Sequence, residues 1–202
     1  MGSNDYLNNY FQPEYYNTSK RYTLRDYSSV LMDQYFEQLM TLYNYGARKI
    51  AVFGLGRLGC APRAIELYST NGTVSCSSKL NLASSLFNRR LIRLTRRLNK
   101  DLDDAQFTYV NVSGIGEGDP AQLGFKVATS SCCKVREDGQ CIPDEKPCAN
   151  RSEYAFWDSF HPTEAANRVT AARAYSSYLP SDSEPFDIHH LVELDLGNQT
   201  KS

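Results

Sequence analysis

The chain has 202 residues, a formal net charge of −1 and 41% hydrophobic residues. This length is enough for one domain with a sizeable core, and the balanced charge argues against nucleic acid or an anionic membrane surface as a partner. No apolar run approaches the roughly 20 residues that cross a bilayer. The first ten residues, MGSNDYLNNY, lack the basic flank and apolar core of a signal peptide.

The first predicted element is a long helix that begins at Leu24. Thr23 followed three residues later by Asp26 is typical of a helix start, because the threonine hydroxyl can accept an otherwise unpaired backbone N–H. Gly46 offers a stop. Between these points apolar and aromatic residues recur at helical spacing, which predicts one buried side: Leu24, Tyr27, Leu31, Tyr35, Leu39 and Leu42.

A strand is predicted next, over Lys49–Leu55. The stretch KIAVFGL is short and apolar on both faces, which is typical of a buried strand in a parallel sheet. A loop follows, with Pro62 and the turn Asn71-Gly72.

The glycines Gly54, Gly56 and Gly59 match the dinucleotide-binding pattern G-x-G-x-x-G directly after this strand. That pattern should open a helix and lead to a second strand with an acidic residue about 20 positions on. Here Cys60 and Pro62 follow, and the residues near position 80 belong to a helix start. The sequence therefore favours a glycine-rich turn, and an NAD(H)-dependent oxidoreductase is the alternative that rests on this pattern alone.

A second long helix is predicted over residues 79–104. Its buried side would be Leu80, Ala83, Phe87, Leu91, Leu94, Leu98 and Leu102. The same helix carries six basic residues: Arg89, Arg90, Arg93, Arg96, Arg97 and Lys100. Such a run suggests nucleic-acid binding, but the near-neutral total charge favours the solvated face of an amphipathic helix.

The remaining predicted elements are one strand and one helix. Phe107–Val112 is the strand, residues 113–155 are rich in loops, and Thr163–Tyr178 is the helix. The alternation of helices and strands predicts an α/β fold with a parallel sheet. The polar sequence after Pro180 predicts an irregular tail over residues 181–202, which follows a domain over residues 1–180.

Six cysteines and five Asn-x-Ser/Thr tripeptides are typical of a secreted protein. The cysteines are Cys60, Cys76, Cys132, Cys133, Cys141 and Cys148. Their even number in loop-like sequence favours disulfides over free thiols or zinc, since no Cys-x-x-Cys occurs. We predict a Cys60–Cys76 bridge, and the other four cysteines allow three pairings. The candidate glycosylation sites are Asn17, Asn71, Asn111, Asn150 and Asn198.

Asp158 and His161 are the candidate catalytic residues. A histidine that acts as a general base needs its second ring nitrogen held by an acceptor, and a carboxylate also stabilises the imidazolium that forms. Two side chains three residues apart in one turn can meet, and Pro162 can start the following helix. A loop histidine bonded to a nearby carboxylate has the same spacing, so the spacing alone does not establish catalysis.

Four blocks of the chain together resemble the plant type of the GDSL esterase/lipase family of SGNH hydrolases. They are GSNDYLNNYF (Gly2–Phe11), LYNYGARKIAVFGLGRLGCAP (Leu42–Pro62), the pair Cys132-Cys133, and CANRSEYAFWDSFHPTEAAN (Cys148–Asn167). Several long blocks in the same order make the resemblance specific, and they cover nearly the whole chain.

The resemblance implies a three-layer α/β/α fold with a parallel sheet and a Ser-His-Asp triad that cleaves carboxylic esters through an acyl-enzyme. His161 matches the base and Asp158 the residue that orients it. Asn4 matches the oxyanion-binding asparagine, and Gly2 belongs to the same block. The resemblance implies a small-molecule or lipid ester as substrate, secretion of the full-length family member, and no metal or organic cofactor.

The serine of the family's Gly-Asp-Ser block has no match here. Gly118-Asp119-Pro120 has the first two residues without the serine, and nothing in the family pattern makes Ser3 a nucleophile. In the family that block precedes the asparagine block, so we expect a truncated chain, inactive alone, whose strand at 49–55 has an open edge. The alternative function is a non-catalytic remnant that binds acyl or glycan ligands.

Overall fold

The computed structural model describes residues 2–68 and 74–196. It divides the chain into two compact units, and each unit is assembled from separate stretches of sequence. The first unit comprises Met1–Gly56, Ala83–Gly114 and Arg173–Ser202, and the second comprises Arg57–Leu82 and Ile115–Ala172.

Helices and strands are interspersed along the chain, as expected for the predicted α/β class. The helices are α1 Ser3–Asp5, α2 Thr18–Arg21, α3 Leu24–Asn44, α4 Pro62–Tyr68, α5 Ser78–Asp101, α6 Val112–Ile115, α7 Glu164–Tyr175 and α8 Ile188–Glu193. The strands are β1 Lys49–Phe53, β2 Gln106–Val110, β3 Val127–Ser131, β4 Tyr154–Phe156 and β5 Ser183–Glu184. A π-helical turn, Tyr6–Tyr10, continues α1, and 3-10 turns lie at Leu58–Cys60, Pro120–Leu123 and Arg151–Glu153.

Helix α3 begins and ends as its sequence predicts. The Thr23 hydroxyl accepts the Asp26 N–H at 3.2 Å, and Gly46 supplies the positive φ of +100° just beyond the helix end. Leu31 and Leu39 are buried. Leu42, predicted on the same side, is 49% exposed because it lies in the last turn, where the helix runs into its glycine stop.

The first unit contains a three-stranded sheet in the order β1-β2-β5. Strands β1 and β2 are parallel, in a register that runs from Lys49 opposite Gln106 to Phe53 opposite Val110. Strand β5 pairs antiparallel with β2, so the sheet is mixed. The predicted α/β class and the parallel pair are confirmed, and the antiparallel third strand was not predicted.

The prediction of an irregular stretch after Pro180 is wrong for residues 183–193, which form β5 and α8. Asp182, 1% exposed, anchors this stretch. Its carboxylate accepts both the Arg173 guanidinium and the N–H groups of Tyr178 and Leu179. The polar sequence after Pro180 can therefore fold, because one buried carboxylate accepts hydrogen bonds from several donors.

Strand β1 is less buried than its sequence predicts. Val52 is 2% exposed, but Phe53 is 44% exposed, and the strand ends before Leu55. Among the described residues no strand pairs with the second edge of β1. The strand has a partner on one side only, which leaves an apolar side chain and a row of backbone groups available.

Helix α5 has the amphipathic character predicted for residues 79–104, although it ends at Asp101. Its apolar side chains are buried: Leu80, Ala83, Phe87, Leu91, Leu94 and Leu98. Leu102 lies just past the helix end and is half-buried. On the basic side, Arg96 pairs with Glu184 and Arg97 with Asp101, as the solvated-face interpretation expects.

The second unit is held by three disulfides: Cys60–Cys76, Cys132–Cys148 and Cys133–Cys141. All six cysteines are paired, so the predicted Cys60–Cys76 bridge is confirmed and the free-thiol and zinc alternatives are wrong. Strands β3 and β4 form a parallel pair that sequence analysis took as loop.

The glycines after β1 serve close packing. A Cβ at Gly54 would lie 2.5 Å from the Tyr109 hydroxyl, and one at Gly59 would lie 2.1 Å from the Ser77 carbonyl oxygen. The last glycine of the pattern lies in the 3-10 turn Leu58–Cys60, and the next α-helix, α4, begins only at Pro62. The turn interpretation is therefore favoured over a dinucleotide site.

Candidate active site

Asp158 and His161 meet in the second unit. The His161 Nδ1 atom lies 2.7 Å from Asp158 Oδ2. The second carboxylate oxygen of Asp158 accepts the backbone N–H groups of Phe160 at 2.8 Å and His161 at 2.7 Å. The Asp158 side chain is 8% exposed and the His161 side chain 67% exposed. A buried carboxylate thus holds an accessible imidazole.

The local sequence closes this turn on itself. The Trp157 N–H donates to the His161 carbonyl oxygen at 2.8 Å, and Phe156 and Pro162 form an isolated antiparallel bridge. Thr163 then caps α7, since its hydroxyl oxygen accepts the Ala166 N–H at 3.2 Å. Pro162 therefore lies before the cap. The prediction that it starts the helix is wrong, because Pro162 is in the bridge with Phe156.

The segment between Cys132 and Cys148 supports the turn from outside. The Trp157 carbonyl oxygen accepts the N–H groups of Cys132 at 3.1 Å and Cys133 at 3.0 Å, and the Ser159 N–H donates to the Gly139 carbonyl oxygen at 3.0 Å. A Cβ at Gly139 would lie 2.7 Å from the Phe160 ring. The disulfides Cys132–Cys148 and Cys133–Cys141 cross-link this segment and so restrict the backbone that contacts the turn.

This arrangement fixes the chemistry available to His161. An ionised carboxylate can only accept hydrogen bonds, so its contact requires the proton on Nδ1. The other ring nitrogen, Nε2, then has a free lone pair and can remove a proton from a hydroxyl. If the ring becomes charged, Asp158 stabilises the imidazolium.

Asn4 and Gly2 lie in the first unit. Asn4 is exposed on α1, and its Oδ1 accepts the Asn8 amide at 3.4 Å. Gly2 has a φ of +109°, and a Cβ there would lie 2.8 Å from Leu55. Its N–H already donates to the Asp5 carboxylate at 2.9 Å. The structure gives Gly2 a packing role, and the oxyanion roles of both residues stay predictions.

Neither the serine between Asp158 and His161 nor the Gly118-Asp119-Pro120 stretch resembles a nucleophile site. Ser159, between Asp158 and His161 in sequence, is 2% exposed. Gly118-Asp119-Pro120 starts a 3-10 turn, in which the Asp119 carboxylate accepts the Ala121 N–H at 3.0 Å. Ser3 is the first residue of α1.

A second Asp-x-x-His pair was missed by sequence analysis. Asp187 Oδ1 lies 2.6 Å from His190 Nδ1 and also accepts the His190 N–H at 3.0 Å. Asp158 makes the same two kinds of contact with His161, but through separate oxygens. Burial alone would raise the pKa of Asp187, but the N–H groups of Ser177 and His190 and the imidazole lower it to about 2. The hydrogen bond to Asp187 raises the pKa of His190.

The glycosylation candidates differ in their surroundings. Asn17 and Asn150 are exposed. The Asn111 amide nitrogen already donates to the Ser181 carbonyl oxygen at 3.0 Å, and its Oδ1 accepts the Gly114 N–H at 3.0 Å. Asn71 and Asn198 lie outside the described residues. In the part of the chain that the structure describes, no helix combines the length and apolar character needed to span a membrane.

Comparison with known proteins assigns the chain to a family. Residues 1–174 match the family described as GDSL-like Lipase/Acylhydrolase. The chain is 46% identical over 200 residues to GDSL esterase/lipase At1g29660 of Arabidopsis thaliana and 44% identical to At4g18970 of the same plant. GDSL esterase/lipase 7 of Arabidopsis thaliana is 38% identical. Each alignment covers 96% of this chain and 55% of the relative, so the chain spans about half the length of these relatives.

Proposed function

The chain belongs to the GDSL-like lipase/acylhydrolase family, and on this premise we propose that a protein carrying these residues hydrolyses carboxylic esters through an acyl-enzyme, with His161 as general base. The observation that carries the proposal is the 2.7 Å contact between an exposed His161 imidazole and the buried Asp158 carboxylate. The relatives are named esterase/lipases, which supports ester bonds as the target.

In this mechanism a serine hydroxyl attacks the ester carbonyl carbon while His161 Nε2 takes the hydroxyl proton. Asp158 stabilises the imidazolium, and hydrogen-bond donors stabilise the oxyanion, among which we propose the Asn4 side chain. The tetrahedral intermediate then expels the alcohol, which receives the proton from His161. Water, activated by the same nitrogen, hydrolyses the acyl-enzyme and releases the acid.

We propose that the serine comes from a Gly-Asp-Ser block of the kind these relatives are named for. The 202 residues contain no such tripeptide. The chain alone therefore supplies the base and its orienting carboxylate without the nucleophile, and we expect it to be inactive. The substrate is a lipid or other acyl ester. Secretion is supported by the three disulfides and by the exposed Asn17 and Asn150 acceptors.

The test compares the chain alone with a chimera that adds the Gly-Asp-Ser segment of GDSL esterase/lipase At1g29660. Turnover of p-nitrophenyl butyrate should appear only in the chimera, and His161→Ala should lower it at least about a thousandfold. His190→Ala is the matched control, since its imidazole also contacts an aspartate three residues earlier and has no proposed role in ester hydrolysis. Turnover by the chain alone that vanishes in His161→Ala would contradict the missing-nucleophile proposal. An active chimera that is insensitive to His161→Ala would contradict the role of His161.

A further inference from the structure

Three potential metal ligands gather where α8 begins. Asp187 precedes the helix, and His189 and His190 lie in its first turn. One ligand atom of each lies within 4.8 Å of the others. We propose that His189 and His190 bind a divalent transition metal ion such as Zn²⁺ or Cu²⁺ and that Asp187 orients the His190 ring for it. This site is independent of ester hydrolysis and lies within the first unit.

The contact between Asp187 and His190 orients a ligand. Asp187 Oδ1 holds His190 Nδ1 at 2.6 Å, and its other oxygen accepts the Ser177 N–H at 2.9 Å. Histidines that ligate metals usually donate one ring N–H to a carboxylate, which fixes the tautomer and leaves Nε2 for the metal. The His190 side chain is 65% exposed, so this nitrogen is accessible to an ion.

His189 provides the second imidazole. Its ring packs edge-on against Tyr175 at 5.4 Å between ring centroids and lies 5.7 Å from the His190 ring. Its Nε2 lies 3.4 Å from Glu193 Oε1. Metal–nitrogen bonds of about 2.0–2.1 Å place neighbouring ligands roughly 3.3 Å apart. The ligand atoms now lie within 4.8 Å of one another. Because the His189 side chain is 44% exposed, its ring can rotate to bring the two imidazole nitrogens to the shorter spacing that a metal requires.

The donor types select the class of ion. Two imidazoles beside a carboxylate suit Zn²⁺, Cu²⁺ and Ni²⁺ better than Mg²⁺ or Ca²⁺, which prefer oxygen ligands. All six cysteines are in disulfides, so thiolates do not compete for the ion. His161 is the other histidine of the sequence, and no histidine is adjacent to it along the chain. It therefore serves as a single-imidazole control within the same chain.

The experiment titrates the folded 202-residue chain with Cu²⁺ at neutral pH and follows binding by calorimetry and electron paramagnetic resonance. The wild type should bind one ion with nitrogen hyperfine structure from two imidazoles. His189→Gln and His190→Gln should each weaken binding at least about tenfold, and Asp187→Asn, which removes the orienting carboxylate, about 10- to 100-fold. His161→Gln should leave the affinity unchanged. Circular dichroism checks that each variant is folded.

A second readout uses Zn²⁺ and thermal unfolding. Because the ion binds the folded chain preferentially, it should raise the melting temperature of the wild type and of His161→Gln and leave that of His189→Gln/His190→Gln unchanged. Equal Cu²⁺ affinity in the wild type and this double variant would overturn the proposal. So would binding that is lost in His161→Gln.

Discussion

Replacement of Asp158 tests separately what holds the turn and what orients the imidazole. Its carboxylate accepts three hydrogen bonds, from the N–H groups of Phe160 and His161 and from the His161 ring. In Asp158→Asn the amide oxygen still accepts both backbone groups, but the charge is gone and the amide NH₂ faces Nδ1. In Asp158→Ala all three donors lose their acceptor.

The magnitudes follow from these counts. A hydrogen bond to a charged group contributes about 1.5–3 kcal/mol, so Asp158→Asn should lower the free energy of unfolding by about 2 kcal/mol. Asp158→Ala also leaves two backbone donors unpaired beside a buried position, and we expect a loss of about 4 kcal/mol. Urea unfolding of the chain measures both values.

The tautomer of His161 is the second measurement. In the wild type, ¹⁵N NMR of the imidazole should show the proton on Nδ1, since a carboxylate only accepts. The amide of Asp158→Asn donates toward Nδ1, so the proton should move to Nε2. In the active chimera this change should lower the rate by about four orders of magnitude, as in other serine hydrolase triads. An unchanged tautomer in Asp158→Asn, or equal stability of the Asn and Ala variants, would refute the reasoning.

Three further predictions concern stability and modification. Asp182→Ala should cost about 3–5 kcal/mol, because the buried Asp182 carboxylate accepts the Arg173 guanidinium and the N–H groups of Tyr178 and Leu179, and all of these donors lose it, and a loss below 1 kcal/mol would contradict this. Burial alone would raise the pKa of Asp182, but Arg173 and backbone donors lower it. The stability that Asp182 contributes is therefore present above the pKa of an unfolded aspartate and is lost as pH falls through the pKa of Asp182 in the folded chain. The free energy of unfolding should fall more steeply with acid in the wild type than in Asp182→Ala. Burial raises the pKa of Tyr6 and Tyr109 to about 12. These tyrosines ionise at lower pH in the unfolded chain than in the folded chain, so the free energy of unfolding should fall between about pH 10 and 12. If absorbance at 295 nm showed all tyrosines ionising near pH 10 while circular dichroism stayed native, this prediction would be refuted. Mass spectrometry of protein from a plant secretory host should find Asn111 unglycosylated, since its amide is bonded to a backbone carbonyl, and the two exposed acceptors occupied; a glycan on Asn111 in folded protein would contradict this.

The parts of the fold that could be predicted are those specified by nearby residues. The start of α3 depends on Thr23 and Asp26, three positions apart, and the buried side of α5 follows from a helical repeat. The contact of Asp158 with His161 likewise closes within one turn. In each case the interacting groups are brought together by local geometry, so the sequence pattern is sufficient.

The parts that were missed depend on distant partners. Strand β5 exists because Ser183 meets Val110 across the sheet, and a two-residue strand has no periodicity to detect. The pairing of β3 with β4 joins stretches separated by a disulfide-rich loop. Asp187 and His190 have the same spacing as the predicted catalytic pair. Their contact was not predicted, because the polar residues after Pro180 indicate an irregular tail.

The antiparallel strand β5 also determines when the sheet can be completed during synthesis. Seventy-two residues separate Val110 from its partner Ser183, and at about 5–20 residues per second the ribosome needs roughly 4 to 15 s to make them. Throughout this interval β2 has an unpaired edge, and all the cysteines emerge before that edge is covered. A chaperone or a neighbouring nascent chain would find β2 accessible during this time, and a ribosome that stalls before Ser183 would release a chain that cannot cover it.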